Sequence, residues 1–384
     1  MKRIKNLLSL FKKSDFEKNV VQLIGYPTKK LILFQTALNH RSVRENPSEN
    51  NERLEFLGDA IIGAVVADYL CKKYPYKGEG FLTEMRSKMV NRQQLNQIAL
   101  QMGIRKLTRF NKMDGSLKTS QIFGNTLEAL VGAIYLDKKY EFTKKWIVEK
   151  MIPKLVATCW TTAGTAIPAV GDEICPWSLE TRMEAAATLG FKGFGILHTD
   201  LMKAVNEIGL NKVKGLIANF GFEFIELEMI NDWFAVGERR SKSDQIRKFL
   251  LDMVLNLGAM HIKIGSETDE TPWPWEHLVS ELKFLGKQAK KSGTRIALEV
   301  MPFTQIKSVE MGVDLVDAVG EDSVGLLLDN WHVFHGGTSY DWLSRLSSGY
   351  IFGIELNDAD SIIKENLFYD TVHYRKYCGE GDFK

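Results

Sequence analysis

Three carboxylates lie at spacings of three and four within residues 51–60, at Glu52, Glu55 and Asp59. On an α-helix these spacings place the three side chains on one face. Crowded acids repel one another unless a cation lies between them, and hard oxygen ligands favour Mg²⁺ or Mn²⁺. A metal held in this way can activate water and neutralise the charge that develops on phosphate during phosphodiester cleavage. A solvated helix face, with Arg53 as a salt partner, is the alternative that spacing alone leaves open.

A second segment carries a similar polar edge. Asn125 and Glu128 lie three residues apart and flank an apolar stripe with helical spacing. The first segment has a stripe of its own, so the two polar edges converge if the stripes pack together. The stripes are Leu54, Leu57, Ile61, Val65 and Tyr69 in the first segment, and Leu127, Leu130, Val131, Ile134 and Tyr135 in the second. Loop signals, and the lack of alternating β-branched runs, predict that residues 15–156 are all helical.

The charges divide the chain into two halves of opposite sign. Residues 1–156 hold 28 Lys and Arg against 15 Asp and Glu, whereas the remaining residues hold 22 against 33. This division predicts two domains, 1–156 and 157–384, with different partners. The basic half is a candidate polyanion binder, because phosphate contacts dominate nucleic-acid affinity. Charge alone equally allows a lysine-rich surface that keeps helices in solution.

After residue 156 the pattern changes to short apolar runs that alternate with amphipathic stretches. Six such runs, and residues 157–167 as a possible first strand, give a count of seven strands. Strands that alternate with helices indicate parallel βα units, either in an open doubly wound sheet or in a closed barrel. Functional residues in both architectures lie at the carboxyl ends of strands, which directs attention to Glu299, Asp329 and Glu355. The six runs are FKGFGILH, FEFIELE, AMHIKIG, TRIALEV, SVGLLLD and YIFGIEL.

Length and composition exclude several classes of protein. The 384 residues are 45% hydrophobic and 26% charged, which predicts packed cores and about two or three domains. The apolar runs are too short for a membrane span, and the basic N-terminal stretch lacks the features of a signal peptide. The four cysteines lie far apart without a CxxC pair, which favours reduced thiols and a cytoplasmic location.

The first half resembles the ribonuclease III family over about residues 15–156. Four segments carry the resemblance in the expected order: ALNHRS (37–42), NERLEFLGDA (51–60), GFLTEMRSKMVN (80–91) and FGNTLEALVGAIYLD (123–137). The resemblance implies an all-helical endonuclease domain that uses Mg²⁺, or Mn²⁺, to cut double-stranded RNA and leaves 5′-phosphate and 3′-hydroxyl ends. It also implies rRNA or mRNA processing, and a homodimer with cutting sites across a valley between two subunits.

The resemblance assigns roles to the carboxylates. Glu55, Asn125 and Glu128 are implied as metal ligands, and Asp59 and Glu128 as the residues essential to catalysis, with Glu52 nearby. Asn125 stands where the family commonly has Asp. An amide oxygen can still ligate Mg²⁺, but the site loses a negative charge, so we expect weakened metal binding rather than loss of activity.

The resemblance also implies contacts to RNA. Four residues match the family's RNA-backbone contact region: Thr83, Arg86, Ser87 and Asn91. Helix capping and surface hydrogen bonds are the alternative for Thr83 and Ser87, and His40 is expected to support the fold. No segment after residue 156 resembles the family's double-stranded RNA-binding domain. The affinity for an RNA duplex is therefore expected to depend on the nuclease surface and on a basic arm, residues 2–13, and to fall steeply as the salt concentration rises.

Residues from about 160 onward resemble the sugar phosphate isomerase/epimerase family, which has a xylose isomerase-like TIM barrel. The segments are IELEMINDWF (225–234), HIKIGSE (261–267), ALEVMP (297–302), LLLDNWH (326–332) and FGIELNDAD (352–360). Such barrels hold a divalent metal at strand ends and move protons beside a sugar carbonyl or hydroxyl. By position, Glu299 and Asp329 are implied as metal ligands and His332 as a substrate contact, while Glu355 lies where many relatives have a metal-ligating His. A hydrogen-bonded strand-end carboxylate or a helix N-cap is the alternative.

The sequence thus predicts a multidomain chain: an all-α ribonuclease III endonuclease domain followed by an α/β TIM-barrel-like domain that lacks its last βα unit. The barrel family's fourth metal ligand belongs to the eighth strand. We therefore expect the barrel to hold a divalent metal incompletely and to be catalytically inactive. Mg²⁺-dependent cleavage of double-stranded RNA is the leading function. The alternatives are a sugar phosphate isomerase or epimerase, and an RNA-binding protein in which Asn125 has silenced cleavage.

Overall fold

A computed structural model describes residues 15–113, 122–171, 173–266, 269 and 272–383. The chain separates into two compact units, Met1–Pro153 and Lys154–Lys384. The basic arm, and Glu267 of one barrel segment, lie outside the described residues. None of the described helices is both long enough and apolar enough to cross a membrane.

The described part of the first unit is helical, as predicted. Its helices are α1 Asp15–Ile24, α2 Leu31–Ala37, α3 Glu52–Lys73, α4 Glu79–Val90, α5 Arg92–Gln101, α6 Ile104–Leu107 and α7 Ile122–Met151. Helix α7 is interrupted at Lys139, where φ is 69° and the backbone leaves the helical region. A parallel β-bridge joins Asn39 to Arg109. Buried residues of α1, α2, α3, α5, α6 and α7 form one hydrophobic core.

The core faces of α3 and α7 agree with the predicted stripes to different degrees. On α7 the four predicted aliphatic positions, from Leu127 to Ile134, are fully buried. On α3 the buried face runs through Gly58 and Ile62, whereas Leu57 is only half-buried. Leu54 and Val65 of the predicted α3 stripe are buried, whereas its other three positions are half-buried. The prediction was wrong at those three positions because hydrophobicity alone gives no weight to a glycine that faces the neighbouring helix.

The second unit is an α/β structure whose described residues include a sheet of seven parallel strands. The strands are β1 Val156–Ala157, β2 Gly193–Leu197, β3 Phe224–Ile230, β4 His261–Gly265, β5 Ile296–Glu299, β6 Val324–Asp329 and β7 Ile351–Glu355. They pair in chain order. The helices between them are α8 Leu179–Thr188, α9 His198–Ile208, α10 Leu210–Asn219, α11 Gly237–Leu257, α12 Trp275–Lys291, α13 Val309–Val319, α14 Asn330–His335 and α15 Tyr340–Leu343. This curled sheet agrees with the predicted TIM-barrel-like unit, one βα unit short of eight within the described residues.

The first strand is shorter than predicted. Residues 157–167 were expected to form it, but only Ala157 of this segment does, and a 3₁₀-helix, Cys159–Thr162, follows. The backbone of Cys159 is satisfied by side chains, since its N–H donates to Glu228 Oε1 at 3.1 Å and its carbonyl accepts from Arg182 Nη2 at 3.0 Å. These bonds replace the sheet ladder that a longer strand would need.

A small antiparallel hairpin follows β7. It pairs β8, Asp358–Ala359, with β9, Arg375–Lys376, and encloses α16, Leu367–His373. Asp358 is buried and accepts hydrogen bonds from the backbone N–H groups of Gly379 at 2.8 Å and Phe383 at 3.1 Å. The hairpin brings the guanidinium of Arg375 to the carboxyl end of β6.

Candidate functional site

Two helices bring the predicted nuclease residues together. Glu55 lies in the first turn of α3 and Asn125 in the first turn of α7. Asn125 Nδ2 donates a hydrogen bond to Glu55 Oε1 at 2.7 Å. Glu128, about one helical turn beyond Asn125, is close enough to Glu55 and Asp59 for their charges to act on it. The two polar edges therefore meet, as the packing of the stripes predicted. We call this region the helix junction.

Two glycines let α3 and α7 approach each other closely at the helix junction. A Cβ atom at Gly58 would lie 1.7 Å from the carbonyl oxygen of Glu128, and one at Gly132 would lie 2.3 Å from the carbonyl oxygen of Leu54. Atoms cannot approach so closely, so any side chain at either position would push the helices apart. Backbone contact thus sets the separation of the two polar edges.

Burial and mutual repulsion determine the electrostatics of the helix junction. Burial, followed by the charges of Asp59 and Glu55, raises the pKa of Glu128 to about 7, and Arg92 opposes this shift. Burial and the charge of Glu52 also raise the pKa of Glu55. These carboxylates thus share one region of unfavourable negative charge, which a bound cation would neutralise.

The raised pKa of Glu128 predicts a pH dependence in the absence of metal. The pKa is about 7 in the folded chain, against an ordinary value of 4.5. Between pH 4.5 and about pH 7 the folded chain keeps a proton on Glu128 that the unfolded chain has released. The free energy of unfolding that this group contributes is therefore fully present below pH 4.5 and is lost as the pH rises through about 7. We expect Glu128→Gln to be more stable than wild type at about pH 8 and equally stable at about pH 4, measured by urea unfolding with EDTA. A difference that stays the same at both pH values would contradict this.

The residues of the helix junction fit a hard cation in ligand type. Glu55, Asn125 and Glu128 offer oxygen atoms, which Mg²⁺ and Mn²⁺ prefer. The carboxylates here are not among the sets of described residues whose ligand atoms all lie within 4.8 Å of one another.

The residues predicted to support the site hold the segment that precedes α3. Glu52 Oε1 accepts from Arg41 Nη1 at 3.3 Å, and the Glu52 N–H donates to Asn50 Oδ1 at 3.1 Å. His40 is buried, and its Nδ1 lies 2.9 Å from Ser42 Oγ. Burial lowers the pKa of His40. These contacts agree with the expected structural role of His40.

The predicted RNA contacts lie along α4 and at its end. The four exposed residues are Thr83, Arg86, Ser87 and Asn91. Thr83 Oγ1 donates to Glu79 Oε1 at 2.9 Å. Asn91 is the N-cap of α5, since its Oδ1 accepts from the Gln94 N–H at 2.8 Å. Thr83 thus makes the local hydrogen bond that was the alternative to an RNA contact. The residue that caps a helix here is Asn91 and not Ser87.

The barrel strands carry a second group of ionisable residues. Two sets have potential ligand atoms within 4.8 Å of one another: Glu299, Asp329 and His332 form one, and Glu226, Glu228 and Glu355 the other. The predicted barrel residues are therefore divided between the two sets.

Lys263, on β4, contacts carboxylates of both sets, and the sequence reasoning did not identify it. The signal was available, because IELE and HIKI place charged residues at alternate positions of otherwise buried strands.

Asp329 is the N-cap of α14, which is the alternative left open for it. Its Oδ1 accepts from the Trp331 N–H at 2.8 Å and from the His332 N–H at 3.4 Å. The imidazole Nε2 of His332 lies 3.4 Å from Glu299 Oε1. Glu299, Asp329 and His332 are all buried. Asp329 thus has a structural function whether or not it has a chemical one.

Both halves match known families. A model described as Ribonuclease-III-like matches residues 31–155, and one described as Xylose isomerase-like TIM barrel matches residues 183–384. The Ribonuclease 3 of Azobacteroides pseudotrichonymphae genomovar. CFP2 is 42% identical over 157 residues, which cover 39% of this chain and 59% of that protein. The Ribonuclease 3 of Bacteroides fragilis is 39% identical over 229 residues, which cover 58% of this chain and 76% of that protein.

The chain spans about half the length of several curated relatives it matches, from 44% to 59%. Among solved structures, it resembles one described as IOLI protein with a binding zinc atom. The identity is 20%, the TM-score is 0.51, and the match covers 60% of this chain and 80% of that one. This likeness supports the barrel fold of the second unit.

Proposed function

Because the chain belongs to the ribonuclease III family through its first unit and to the xylose isomerase-like TIM barrel family through its second, we propose that the first unit is a metal-dependent endoribonuclease that cuts double-stranded RNA. The observation that carries the proposal is the helix junction, where Glu55, Asn125 and Glu128 converge from two helices. Concentrated carboxylates within a half of the chain that is otherwise basic are what metal-assisted cleavage of a phosphodiester requires.

Glu55, Asn125 and Glu128 would hold the ion, which we propose to be Mg²⁺ or Mn²⁺. When bound, it would supply an activated water and neutralise charge on the phosphate. The hydrogen bond from Asn125 to Glu55 fixes the relative position of the two helix ends. Asp59 is exposed and acts electrostatically on the half-buried Glu128. We assign Asp59 the role of orienting water or accepting a proton at the solvent side of the helix junction.

An RNA duplex would be held mainly through its phosphates. The first 156 residues carry an excess of basic residues, and Arg86 is exposed on α4. Together with Thr83, Ser87 and Asn91, it supports backbone rather than base contacts. Affinity would therefore fall steeply as salt concentration rises.

Helix α3 offers a surface for the proposed homodimer. Phe56 is 82% exposed, and Ala60 and Ala64 are exposed on the same face of α3. An exposed apolar stripe of this kind suits a contact between protein surfaces.

The four cysteines are free thiols, and Cys71 and Cys378 are exposed, which supports a cytoplasmic location.

Asn125 offers a test of the metal-binding role. Replacing it with aspartate adds a negative charge at the helix junction, where carboxylates already repel one another, so we expect Asn125→Asp to reach half-maximal cleavage at a lower Mg²⁺ concentration, by about tenfold. The measurement is a Mg²⁺ titration of cleavage by both forms. An unchanged metal requirement would count against Asn125 as a ligand.

The proposal is tested by incubating the full chain with a labelled RNA duplex and Mg²⁺, beside Glu128→Ala. Cleavage that is lost in Glu128→Ala supports the nuclease, whereas binding without cleavage by the wild type supports the RNA-binding alternative. The same chain is assayed for sugar isomerase and epimerase turnover. The inactivity expected of the barrel stays a prediction, and turnover of a sugar would contradict it.

A further inference from the structure

The resemblance of the second unit implies a divalent metal at its strand ends, and the side chains found there can be tested against that ion. Five carboxylates are buried or nearly buried in this region: Glu226, Glu228, Glu299, Asp329 and Glu355. A divalent ion would need several of their oxygen atoms at once. Each of these side chains, however, already has a cation or a ring nitrogen of the same chain beside it.

Lys263 lies at the centre of the group. Its side chain is 2% exposed, and its Nζ lies 2.7 Å from Glu355 Oε1, 2.9 Å from Glu228 Oε2 and 3.5 Å from Glu299 Oε2. The ammonium thus contacts carboxylates from both compact sets. A divalent ion held by those oxygen atoms would lie next to a buried positive charge, and the repulsion between the two would be strong because the side chains are buried.

Arg375 neutralises Asp329 in a similar way. Its Nη1 donates to Asp329 Oδ2 at 2.5 Å, while Asp329 Oδ1 accepts from the Trp331 N–H at 2.8 Å and from Asn357 Nδ2 at 2.9 Å. Both oxygen atoms of Asp329 are therefore engaged.

Thr371 holds the guanidinium of Arg375 in place on the side away from Asp329 through two hydrogen bonds. Its Nε donates to the carbonyl of Thr371 at 2.8 Å, and its Nη2 donates to Thr371 Oγ1 at 2.7 Å. The anchor belongs to α16 and the hairpin that encloses it, so the arginine is fixed by the fold. Removing it from Asp329 would break contacts at both ends of the side chain.

Two of the five carboxylates, Glu226 and Glu299, have histidine partners, and Glu299 also lies beside Lys263. His261 Nε2 lies 2.8 Å from Glu226 Oε2, and His332 Nε2 lies 3.4 Å from Glu299 Oε1. Arg375 Nη2 also lies 3.4 Å from His332 Nε2. The Nε2 atom of His332 thus lies between a carboxylate and a guanidinium.

We propose that the barrel supplies its own cations, with Lys263 and Arg375 in the positions that a divalent metal would otherwise take, so that the described strand-end carboxylates do not bind such an ion. The donor set therefore does not fit the metal that the resemblance implies. Any chemistry at these strand ends would depend on the ammonium and the guanidinium. This inference concerns the second unit and does not rest on the proposed nuclease.

The experiment uses the full chain carrying Glu55→Gln and Glu128→Gln, which silence the helix junction. Co²⁺ is added to this background protein, and binding is followed by the visible absorption of protein-bound Co²⁺ and by metal content after dialysis. We expect no bound ion in the background protein. In Lys263→Met/Arg375→Leu, made in the same background, we expect affinity for Co²⁺ to rise at least about tenfold, because the oxygen atoms lose their internal partners.

Control variants distinguish exclusion of the metal ion by Lys263 and Arg375 from misfolding of the protein. Lys263→Arg keeps the positive charge and should bind no ion, and Lys287→Met changes an exposed lysine and should behave as the background protein. Circular dichroism checks that each variant is folded, and the two single variants replace the double one if it is not. A background protein that binds one Co²⁺ per chain, and loses it in Glu299→Gln, would overturn the proposal. Folded variants without Lys263 and Arg375 that still bind no ion would overturn the role of these two cations.

Discussion

Glu128→Gln is expected to reduce cleavage of an RNA duplex by at least about 10²-fold, because the substitution removes a negative oxygen atom from both the proposed metal site and the catalytic pair. Glutamine keeps the size of the side chain, so the packing of α7 on α3 should remain. The measurement is the single-turnover rate of duplex cleavage at saturating Mg²⁺. Binding of the duplex, measured in parallel without metal, should change little, since the substitution removes negative charge and no phosphate contact.

Glu141→Gln is the matched control, because Glu141 is an exposed carboxylate on the same helix, beyond the interruption at Lys139. Its rate should equal that of the wild type. A Glu128→Gln variant that cleaves as fast as Glu141→Gln would show that the helix junction is not the catalytic site. The same loss of rate in both variants would instead indicate a general effect of charge on this helix.

Gly58→Ala is expected to destabilise the first unit by about 3 kcal/mol or more and to abolish cleavage. The added methyl group would lie 1.7 Å from the carbonyl oxygen and 2.5 Å from the carbonyl carbon of Glu128. Since these are backbone atoms of a buried helix, the clash can be relieved only if α3 and α7 move apart. Urea unfolding followed by helix circular dichroism measures the first effect, and the duplex assay measures the second.

Gly63→Ala provides the contrast within α3. Nothing lies within 4 Å of a Cβ atom at Gly63, so this alanine should stabilise the helix by about 0.5–1 kcal/mol through its better helix propensity. Cleavage should not change. Equal stabilities for Gly58→Ala and Gly63→Ala would mean that the close approach of the two helices is not required.

The helix junction could be predicted because its determinants are local. The spacings of Glu55, Asp59 and Glu128 place each side chain on a known face of a helix, and hydrophobic stripes predict which faces pack. The three half-buried positions of the predicted α3 stripe show the limit of this reasoning. The contact of Gly58 with the Glu128 carbonyl depends on the fit of two backbones, and the sequence of one helix does not contain that information.

The barrel shows a different limit. Six strands and the positions of Glu299, Asp329 and Glu355 at strand ends follow from short apolar runs, which is again local information. The pairing of Lys263 with carboxylates of three other strands depends on the order and register of the sheet. The pairing of Arg375 with Asp329 joins residues 46 positions apart through a hairpin. Such contacts are set by tertiary structure, so they could not be predicted from local patterns.

The hydrogen bond between Asn125 and Glu55 has a consequence for the order of events during assembly of the site. An amide can donate to a carboxylate, whereas a second carboxylate could approach it only with a proton or an ion already between them. The asparagine therefore lets the ends of the two helices lock together before any ion arrives. In this chain we expect the fold to form before the proposed ion binds, and we expect the ion to be held more weakly because the site is already formed without it.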